Sequence, residues 1–286
     1  MPKIVTFEAH VPKSVVSQIS QLAKEYVTDL AMNGVPPSNT AYSVYQYALS
    51  TEIEAYLVRL GKFKDAPVGL VVAFADEAPD SVIGFVLYLP VIDNPEACGL
   101  TYMAVTASQR RKGLARAMLN EVATRSPHME LTCFISKVPM YEKMGFQVLG
   151  CRDTQITMNN RPDPSPGAMA ALFVDPILTS PEVRQIQHNL VQKYGVKAML
   201  DDEKRLARQL QQLTQQADNY VRVNAEKIVK GRRPAAAVDK VTDRRYELRG
   251  VAGLECHDER EELVWIQAAY ELDKRFEPEL RRVDER

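Results

Sequence analysis

Apolar and polar residues follow two different periods over the first 160 residues of the chain. Apolar side chains spaced by three and four predict two early helices, one from Pro12 to about Leu30 and one around 42–60. Further helices are predicted at 113–125 and 138–144. Runs rich in β-branched and aromatic residues predict strands at 3–7, 68–75, 81–91, 99–105, 129–135, 146–151 and 154–159.

The predicted order of these elements is β-α-α-β-β-β-α-β-α-β-β. This order implies an α/β or α+β domain over residues 1–160, in which helices flank a mixed central sheet. The pattern changes at Arg161, where RPDPSPG places three prolines and a glycine in seven residues. We therefore expect a Pro-rich linker over 161–179.

Helical periods continue beyond the linker without a convincing strand, which predicts an all-α C-terminal extension over 180–286. Ser180 and Pro181 suit the N-cap and first turn of its first helix. A longer helix from about Lys197 carries a heptad-like apolar stripe of Met199, Leu206, Leu210, Leu213, Ala217 and Tyr220. The stripe has two interpretations: it packs against a final helix around Trp265, or it forms a seam with a protein partner or a second subunit.

The composition is that of a globular protein, with 45% hydrophobic residues, 26% charged residues and a net charge of -1. A net charge near zero argues against a general nucleic-acid binder, which needs a surplus of cations. A short basic run at 227–233 is interpreted as a solvated helix end. The N-terminus lacks the apolar segment of a signal peptide, and no apolar run has the length of a membrane span. A cytoplasmic location is therefore expected.

The four cysteines are widely spaced and form no CxxC pair, so neither a zinc site nor a disulfide framework is predicted. Their expected role is that of small buried thiols, and no metal is expected. Cys98 and Cys133 lie on or beside predicted central strands, which leaves an acyl-cysteine mechanism open. Such a mechanism needs a base partner, and none is evident in the sequence.

The stretch that carries candidate chemistry is LTYMAVTASQRRKGLARAML. A predicted strand ends at Val105, and a polar loop leads into a helix whose first turn contains three small or apolar residues, Gly113, Leu114 and Ala115. A helix N-terminus with small residues favours a phosphate, because its unpaired N–H groups and the helix dipole attract an anion. Three cations precede it, Arg110, Arg111 and Lys112. Cations at this end do not help the helix itself, which suggests an anionic ligand.

The segment RRKGLA at 110–115 resembles the pyrophosphate loop of the GNAT superfamily of N-acetyltransferases, and YMAV before it resembles the family's hydrophobic strand. The segment YEKMGF at 141–146 resembles the second hallmark of the family, a tyrosine on a short helix followed by Gly-Phe. The resemblance covers about residues 3–159 and does not extend to the C-terminal helices.

This resemblance implies a fold and a binding site for acetyl-CoA. The sheet should splay between the strand that ends at Val105 and the strand that begins at Met129, and the pantetheine arm should pair with backbone groups in that gap. The expected contacts are Met103, Ala104 and Val105 for the arm and 110–115 for the pyrophosphate. The Val105 amide should donate to the thioester carbonyl. Tyr141 should protonate the departing thiolate, since a phenol and a thiol have similar pKa values.

Two positions depart from the family pattern. No asparagine stands between Phe134 and Tyr141, so Ser136 is the expected substitute contact to the CoA arm. The strand before the loop has no carboxylate to act as a base, and Glu96 and Tyr102 are weak alternatives. The favoured hypothesis is acetyl transfer to a primary amine, with a protein acceptor slightly preferred because the helical extension is long. The alternative hypothesis is a GNAT-fold assembly protein that binds CoA with little or no catalysis.

Overall fold

The computed structural model describes residues 2–224, and its centre is a mixed seven-stranded sheet. The strands are β1 (Lys3–Phe7), β2 (Gly69–Phe74), β3 (Val82–Val91), β4 (Asn94–Val105), β5 (His128–Cys133), β6 (Gln147–Arg152) and β7 (Gln155–Asn159). Their order across the sheet is β1-β2-β3-β4-β5-β7-β6. The pairing of β4 with β5 is parallel, and the other pairings among the described strands are antiparallel.

Eight α-helices accompany the sheet within residues 2–224. They are α1 (Lys13–Glu25), α2 (Val27–Leu30), α3 (Tyr42–Arg59), α4 (Leu114–Ala123), α5 (Val138–Glu142), α6 (Asp175–Leu178), α7 (Pro181–Tyr194) and α8 (Val196–Val223). None of these described helices has both the length and the apolar character of a membrane span. The predicted α/β architecture with a following helical region is confirmed for this part of the chain.

The core lies on both faces of the sheet. The core of the α3 face joins residues of α1 and α3, such as Ile19 and Ile53, to Leu70 and Phe85. The core of the α4 face joins Met118 of α4 to residues of the same strands, such as Val71 and Val86. Because β2 and β3 are covered on both sides, their sequences are nearly continuous apolar runs, without the alternation of a half-exposed strand.

A β-bulge in β4 changes which side chains face α3. Leu87 of β3 pairs with Tyr102, whereas its neighbour Tyr88 pairs with Leu100, so Thr101 has no opposite residue. Side chains alternate between the faces of a strand, and one extra residue reverses the alternation. Leu100 therefore packs in the core of the α4 face, and Tyr102 packs against the core of the α3 face.

The sheet opens directly after this bulge. The parallel pairing joins Ala97–Leu100 to His128–Leu131, although β4 continues to Val105. Thr106 N–H donates to Ile83 O on the other side of β4, so Gly84 and Val105 form a pair without mutual hydrogen bonds. Because such pairs alternate along an antiparallel ladder, the N–H and C=O groups of Met103 and Val105 point into the gap.

The Pro-rich segment crosses the α3 face and has contacts along its length. Ile92 N–H donates to Ala168 O at 3.0 Å, and Leu172 N–H donates to the Tyr56 hydroxyl at 2.8 Å. Met169 and Leu172 pack against the core of the α3 face. The segment before α6 therefore forms a strap that packs on the sheet domain, and its predicted role as a linker over 161–179 stays a prediction.

The described part of the helical extension packs back on the sheet domain. Val183 of α7 is fully buried, and Ala217 of α8 is fully buried in the core of the α4 face. Asp202 accepts the N–H of Thr40 at 2.8 Å, and Gln209 donates to Gly34 O at 3.0 Å. The apolar stripe of α8 therefore faces the preceding domain. The predicted helix around Trp265 and the basic run at 227–233 lie outside the described residues, and the division at 160 and 180 stays a prediction.

Candidate functional site

The loop between β4 and α4 leaves a helix N-terminus open. After a 3-10 turn at Ala107–Gln109, Arg111 has a φ of 62° and Gly113 has a φ of 81°. Gly113 is the N-cap of α4, and no side chain caps the first turn. A Cβ at Gly113 would meet no atom within 4 Å, so there is open space on that side of the loop. This geometry suits an anion that binds through backbone N–H groups.

The basic side chains of the loop are all exposed, in Arg110, Arg111 and Lys112. Arg110 Nε donates to Val105 O at 3.1 Å, and its guanidinium lies 4.5 Å from the centre of the Tyr26 ring. The Tyr26 hydroxyl in turn accepts the N–H of Ala107 at 3.0 Å. These contacts tie the loop to the end of α1 and hold positive charge beside the gap between β4 and β5, which forms a cleft.

Two of the predicted arm contacts, Met103 and Val105, present backbone groups to the gap between β4 and β5. Ala104 lies between them and does not do so, because its backbone pairs with Phe85 of β3. The Ala104 side chain is buried in the core of the α3 face. The predicted cofactor contacts at Met103, Ala104 and Val105 stay predictions, and only the first and last of them turn backbone groups toward the gap.

The second wall of the gap carries Tyr141 on α5. Gly145 follows this helix with a φ of 95°, a left-handed conformation that an L side chain rarely adopts. The chain turns back there, and Phe146 N–H donates to Tyr141 O at 3.1 Å. The two rings then meet edge to face, with centroids 5.7 Å apart. The Gly-Phe pair thus fixes the direction of the Tyr141 side chain.

Burial raises the pKa of the Tyr141 hydroxyl well above its ordinary value of 10.0, and the charge that Cys133 would carry raises it further. The group is therefore a protonated donor at neutral pH.

Ser136 is exposed near the end of β5. It lines a cavity of about 630 Å³ together with Ile135 and residues of α8 and its C-cap, namely Gln216, Asn219, Tyr220, Val223 and Asn224.

A carboxylate that the sequence analysis missed lies on the α3 face, against Tyr102 of β4. Glu52 is partly buried on α3, and the Tyr102 hydroxyl donates a hydrogen bond to it. Burial raises the pKa of Glu52 to about 7, and the hydrogen bond from Tyr102 lowers it in part. Its sequence signal was a lone carboxylate within the apolar stripe formed by Leu49, Ile53 and Tyr56.

The other candidates for proton transfer or covalent chemistry are a distant carboxylate and two buried thiols, and neither suits its predicted role. Glu96 is exposed near the start of β4, at the end of the strand opposite to Val105. Burial raises the pKa of Cys98 to about 12 and that of Cys133 to about 12. Thiols with such pKa values are protonated and weakly nucleophilic at neutral pH, which disfavours the acyl-cysteine mechanism.

Comparison with protein-family models finds a match for the central part of the chain. Residues 67–148 match the model of the acetyltransferase (GNAT) domain. Residues 67–148 are identified as a GNAT domain. The matched region runs from the start of β2 into β6 and includes every residue that the sequence predicted for the site. Glu52 precedes the matched region of the GNAT domain.

The structure is also similar to solved N-acetyltransferases. One is the PaiA N-acetyltransferase of Thermoplasma acidophilum in complex with coenzyme A, at 15% identity and a TM-score of 0.45, over 56% of this chain and 99% of that chain. Another is the diaminobutyrate acetyltransferase EctA of Paenibacillus lautus in complex with its substrate and coenzyme A, at 16% identity and a TM-score of 0.34, over 56% of this chain and 95% of that chain. Comparison with curated proteins finds no significant match.

Proposed function

We propose that the protein transfers an acetyl group from acetyl-CoA to a primary amine. The observation that carries the proposal is the continuity of the site. The unpaired edge of β4 at Met103 and Val105 leads into the uncapped N-terminus of α4, and Tyr141 stands on the opposite wall. Each part matches one portion of an acyl-CoA, namely the amide-bearing arm, the pyrophosphate and the sulfur.

The donor would bind mainly through backbone groups. The arm contains two amides, which can pair with the free N–H and C=O groups of Met103 and Val105 as an added strand would. The pyrophosphate would accept N–H groups from the segment 111–115, and the cations at 110–112 would offset its charge. Arg110 must release Val105 O when the arm pairs there, because both need the same carbonyl.

The chemistry then needs no covalent enzyme intermediate. The amine attacks the thioester carbonyl directly, and a free N–H group at the unpaired edge of β4 is the proposed donor to the carbonyl oxygen as it gains charge. When the C–S bond breaks, Tyr141 gives its proton to the sulfur and recovers one from solvent. Tyr141 is protonated at neutral pH, and burial raises its pKa further, so the hydroxyl carries the proton that the sulfur takes.

The acceptor enters from the side of α3, because the donor occupies the gap from the side of α4. The helical extension covers the loop before α3 through the contacts of Asp202 and Gln209. A protein acceptor, which the length of the extension slightly favours, would present a lysine side chain or an N-terminal amine. An acceptor screen in which polyamines react and proteins do not would contradict that preference.

Substitution of Tyr141 by Phe tests the proposed acid. We expect the kcat for acetyl transfer to fall by about 100-fold or more, because the thiolate then leaves without a positioned proton donor. The KM for acetyl-CoA should change little, since the ring and its contact with Phe146 are retained. The measurement is release of the CoA thiol in the presence of spermidine, Nα-acetyl-lysine and a peptide with a free N-terminus.

Tyr194→Phe is the matched control, because Tyr194 is exposed on α7 and lies outside the proposed site. It should retain the wild-type rate. Equal rates for the wild type and the Tyr141→Phe variant would contradict the assignment of Tyr141. Absence of transfer to all three acceptors by a wild-type protein that binds acetyl-CoA would favour the assembly-protein alternative.

A further inference from the structure

Glu52 stands in a place where a solvated carboxylate is not expected. Its helix α3 buries Leu49, Ile53 and Tyr56 against the sheet, and Glu52 falls within the same stripe. It is partly buried, and desolvation is the largest influence on its ionisation. By contrast, Glu54 on the same helix is exposed and lies outside this stripe.

The bulge in β4 brings a hydroxyl to this carboxylate. Without the extra residue Thr101, the Tyr102 side chain would lie with Leu100 on the α4 face. With it, Tyr102 packs on the α3 face and donates its hydrogen bond to Glu52. The same bulge marks the point where β4 separates from β5. One irregularity therefore opens the donor cleft and aims Tyr102 at Glu52.

Glu52 and Tyr141 lie on opposite faces of the sheet. Met103 follows Tyr102 directly and points its backbone groups into the cleft. Tyr141 packs with the core of the α4 face, whereas Tyr102 packs with the core of the α3 face. A thioester in the cleft would thus have the proton donor for sulfur on one side and the carboxylate on the other.

We propose that Glu52 is the catalytic base that takes the proton from the acceptor amine, with Tyr102 as its positioning residue. This inference rests on the proposed function. The C–N bond forms as the amine lone pair attacks the carbonyl carbon, and the nitrogen proton passes to the Glu52 carboxylate. The C–S bond then breaks, Tyr141 protonates the sulfur, and Glu52 later returns its proton to solvent. The net products are an amide, CoA as its thiol and one proton for each ammonium ion consumed.

The surroundings of Glu52 suit this role. The groups with electrostatic influence near it are Tyr102 of β4 and Tyr56 of α3, both of which stay protonated because burial raises their pKa values. The strap over this face supplies the apolar side chains of Met169 and Leu172. The raised pKa of Glu52, about 7, leaves a carboxylate that is both ionised near neutral pH and a stronger base than an exposed one.

The test compares Glu52→Gln with Glu54→Gln, a matched loss of one carboxylate from the same helix. Glu54 faces solvent and accepts a hydrogen bond from Ser20, away from the cleft. We expect Glu52→Gln to lower kcat/KM for the amine acceptor by about 100-fold or more, and Glu54→Gln to stay within about 3-fold of the wild type. Both variants should keep the wild-type stabilisation by acetyl-CoA in thermal unfolding.

The pH profile separates a base from a structural carboxylate. For the wild type, kcat/KM should fall on the acidic side with an apparent pKa near that of Glu52, about 7, and the Glu52→Gln variant should lack this limb. Tyr102→Phe should move the limb to higher pH, because the hydrogen bond from Tyr102 lowers the pKa of Glu52. A merely structural tyrosine would leave the position of the limb unchanged.

The outcomes distinguish this inference from the proposed function. One outcome is that the wild type transfers acetyl groups and the Glu52→Gln variant retains both this activity and the acidic limb. That result would overturn the assignment of Glu52 and leave the proposed function standing. A wild-type protein that binds acetyl-CoA and transfers to none of the three amines would overturn both. If the Glu52→Gln variant loses both the acidic limb and most of its kcat/KM, while acetyl-CoA still stabilises it as much as the wild type, the assignment of Glu52 is supported.

Discussion

At the scale of single residues, Glu52 couples the stability of the fold to pH. Its pKa is about 7 in the folded protein, against an ordinary value of 4.5. Between these values the folded protein holds a proton that the unfolded chain has released. The free energy of unfolding therefore contains a contribution that is complete below the unfolded pKa and is lost as the pH rises through 7.

We expect the wild type to lose on the order of 2 kcal/mol of stability relative to Glu52→Gln between pH 5 and pH 8. The reason is that the glutamine carries no charge to desolvate at either pH. Urea unfolding of both proteins at several pH values measures this difference. Glu54→Gln is the control and should follow the wild type, whereas parallel curves for the wild type and Glu52→Gln would refute the buried ionisation.

The contrast between Tyr141 and Glu52 shows which site residues a sequence can reveal. Tyr141 stands in a local motif, in which the glycine and phenylalanine that follow it set its direction through contacts within six residues. Glu52 depends on Tyr102, fifty positions later in the sequence, and on a bulge that GLTYMAV does not disclose. The sequence analysis therefore missed Glu52, since a carboxylate within an apolar stripe does not identify its partner.

At the scale of elements, the turn after α5 determines where Tyr141 points. We expect Gly145→Ala to destabilise the protein by about 1–2 kcal/mol, because the left-handed φ of 95° strains an L side chain. It should also reduce acetyl transfer, since Phe146 no longer supports the Tyr141 ring. Chemical denaturation and the thiol-release assay measure the two effects.

Gly150→Ala on β6 is the control for this substitution. Gly150 is not among the described glycines with a positive φ, and a Cβ there would meet only the Thr157 hydroxyl at 3.5 Å. This variant should keep stability within about 0.5 kcal/mol of the wild type. A Gly145→Ala variant as stable and active as the control would show that the turn does not determine the orientation of the Tyr141 side chain.

Most helices and strands could be predicted because the spacing of apolar residues within each segment indicates its secondary structure. The predicted strand at 81–91 and the observed β3 at Val82–Val91 agree closely. The first predicted helix is interrupted at Tyr26, where α1 ends and the short α2 begins. Nothing in its apolar spacing signals that break. A long-range contact accompanies it, since the Tyr26 hydroxyl accepts the N–H of Ala107 in the loop before α4.

At the scale of the whole molecule, the helical extension belongs to the same packed body as the sheet over residues 2–224. The stripe on α8 was correctly identified as apolar, but its spacing does not name the surface that it covers. That surface includes the loop before α3, whose Thr40 and Gly34 bond to Asp202 and Gln209. Such pairings join positions more than a hundred residues apart, and no local pattern encodes them.

The cleft between β4 and β5 and the N-terminus of α4 together form the proposed acetyl-CoA site. Thermal unfolding with and without acetyl-CoA measures binding there, in the wild type and in an Arg111→Glu/Gly113→Asp variant. Arg208→Glu/Gly195→Asp is the matched control. It makes the same charge change on α8, and Gly195 shares with Gly113 a left-handed φ, of 79°, and open space around a Cβ.

Acetyl-CoA at 100 times its dissociation constant should stabilise the wild type by about 2.7 kcal/mol. For a protein of this size the unfolding midpoint should rise by about 5 to 10 °C. We expect this rise in the wild type and the control, and its loss in the Arg111→Glu/Gly113→Asp variant. No rise in the wild type at millimolar acetyl-CoA, or an equal rise in all three proteins, would rule out binding at this site.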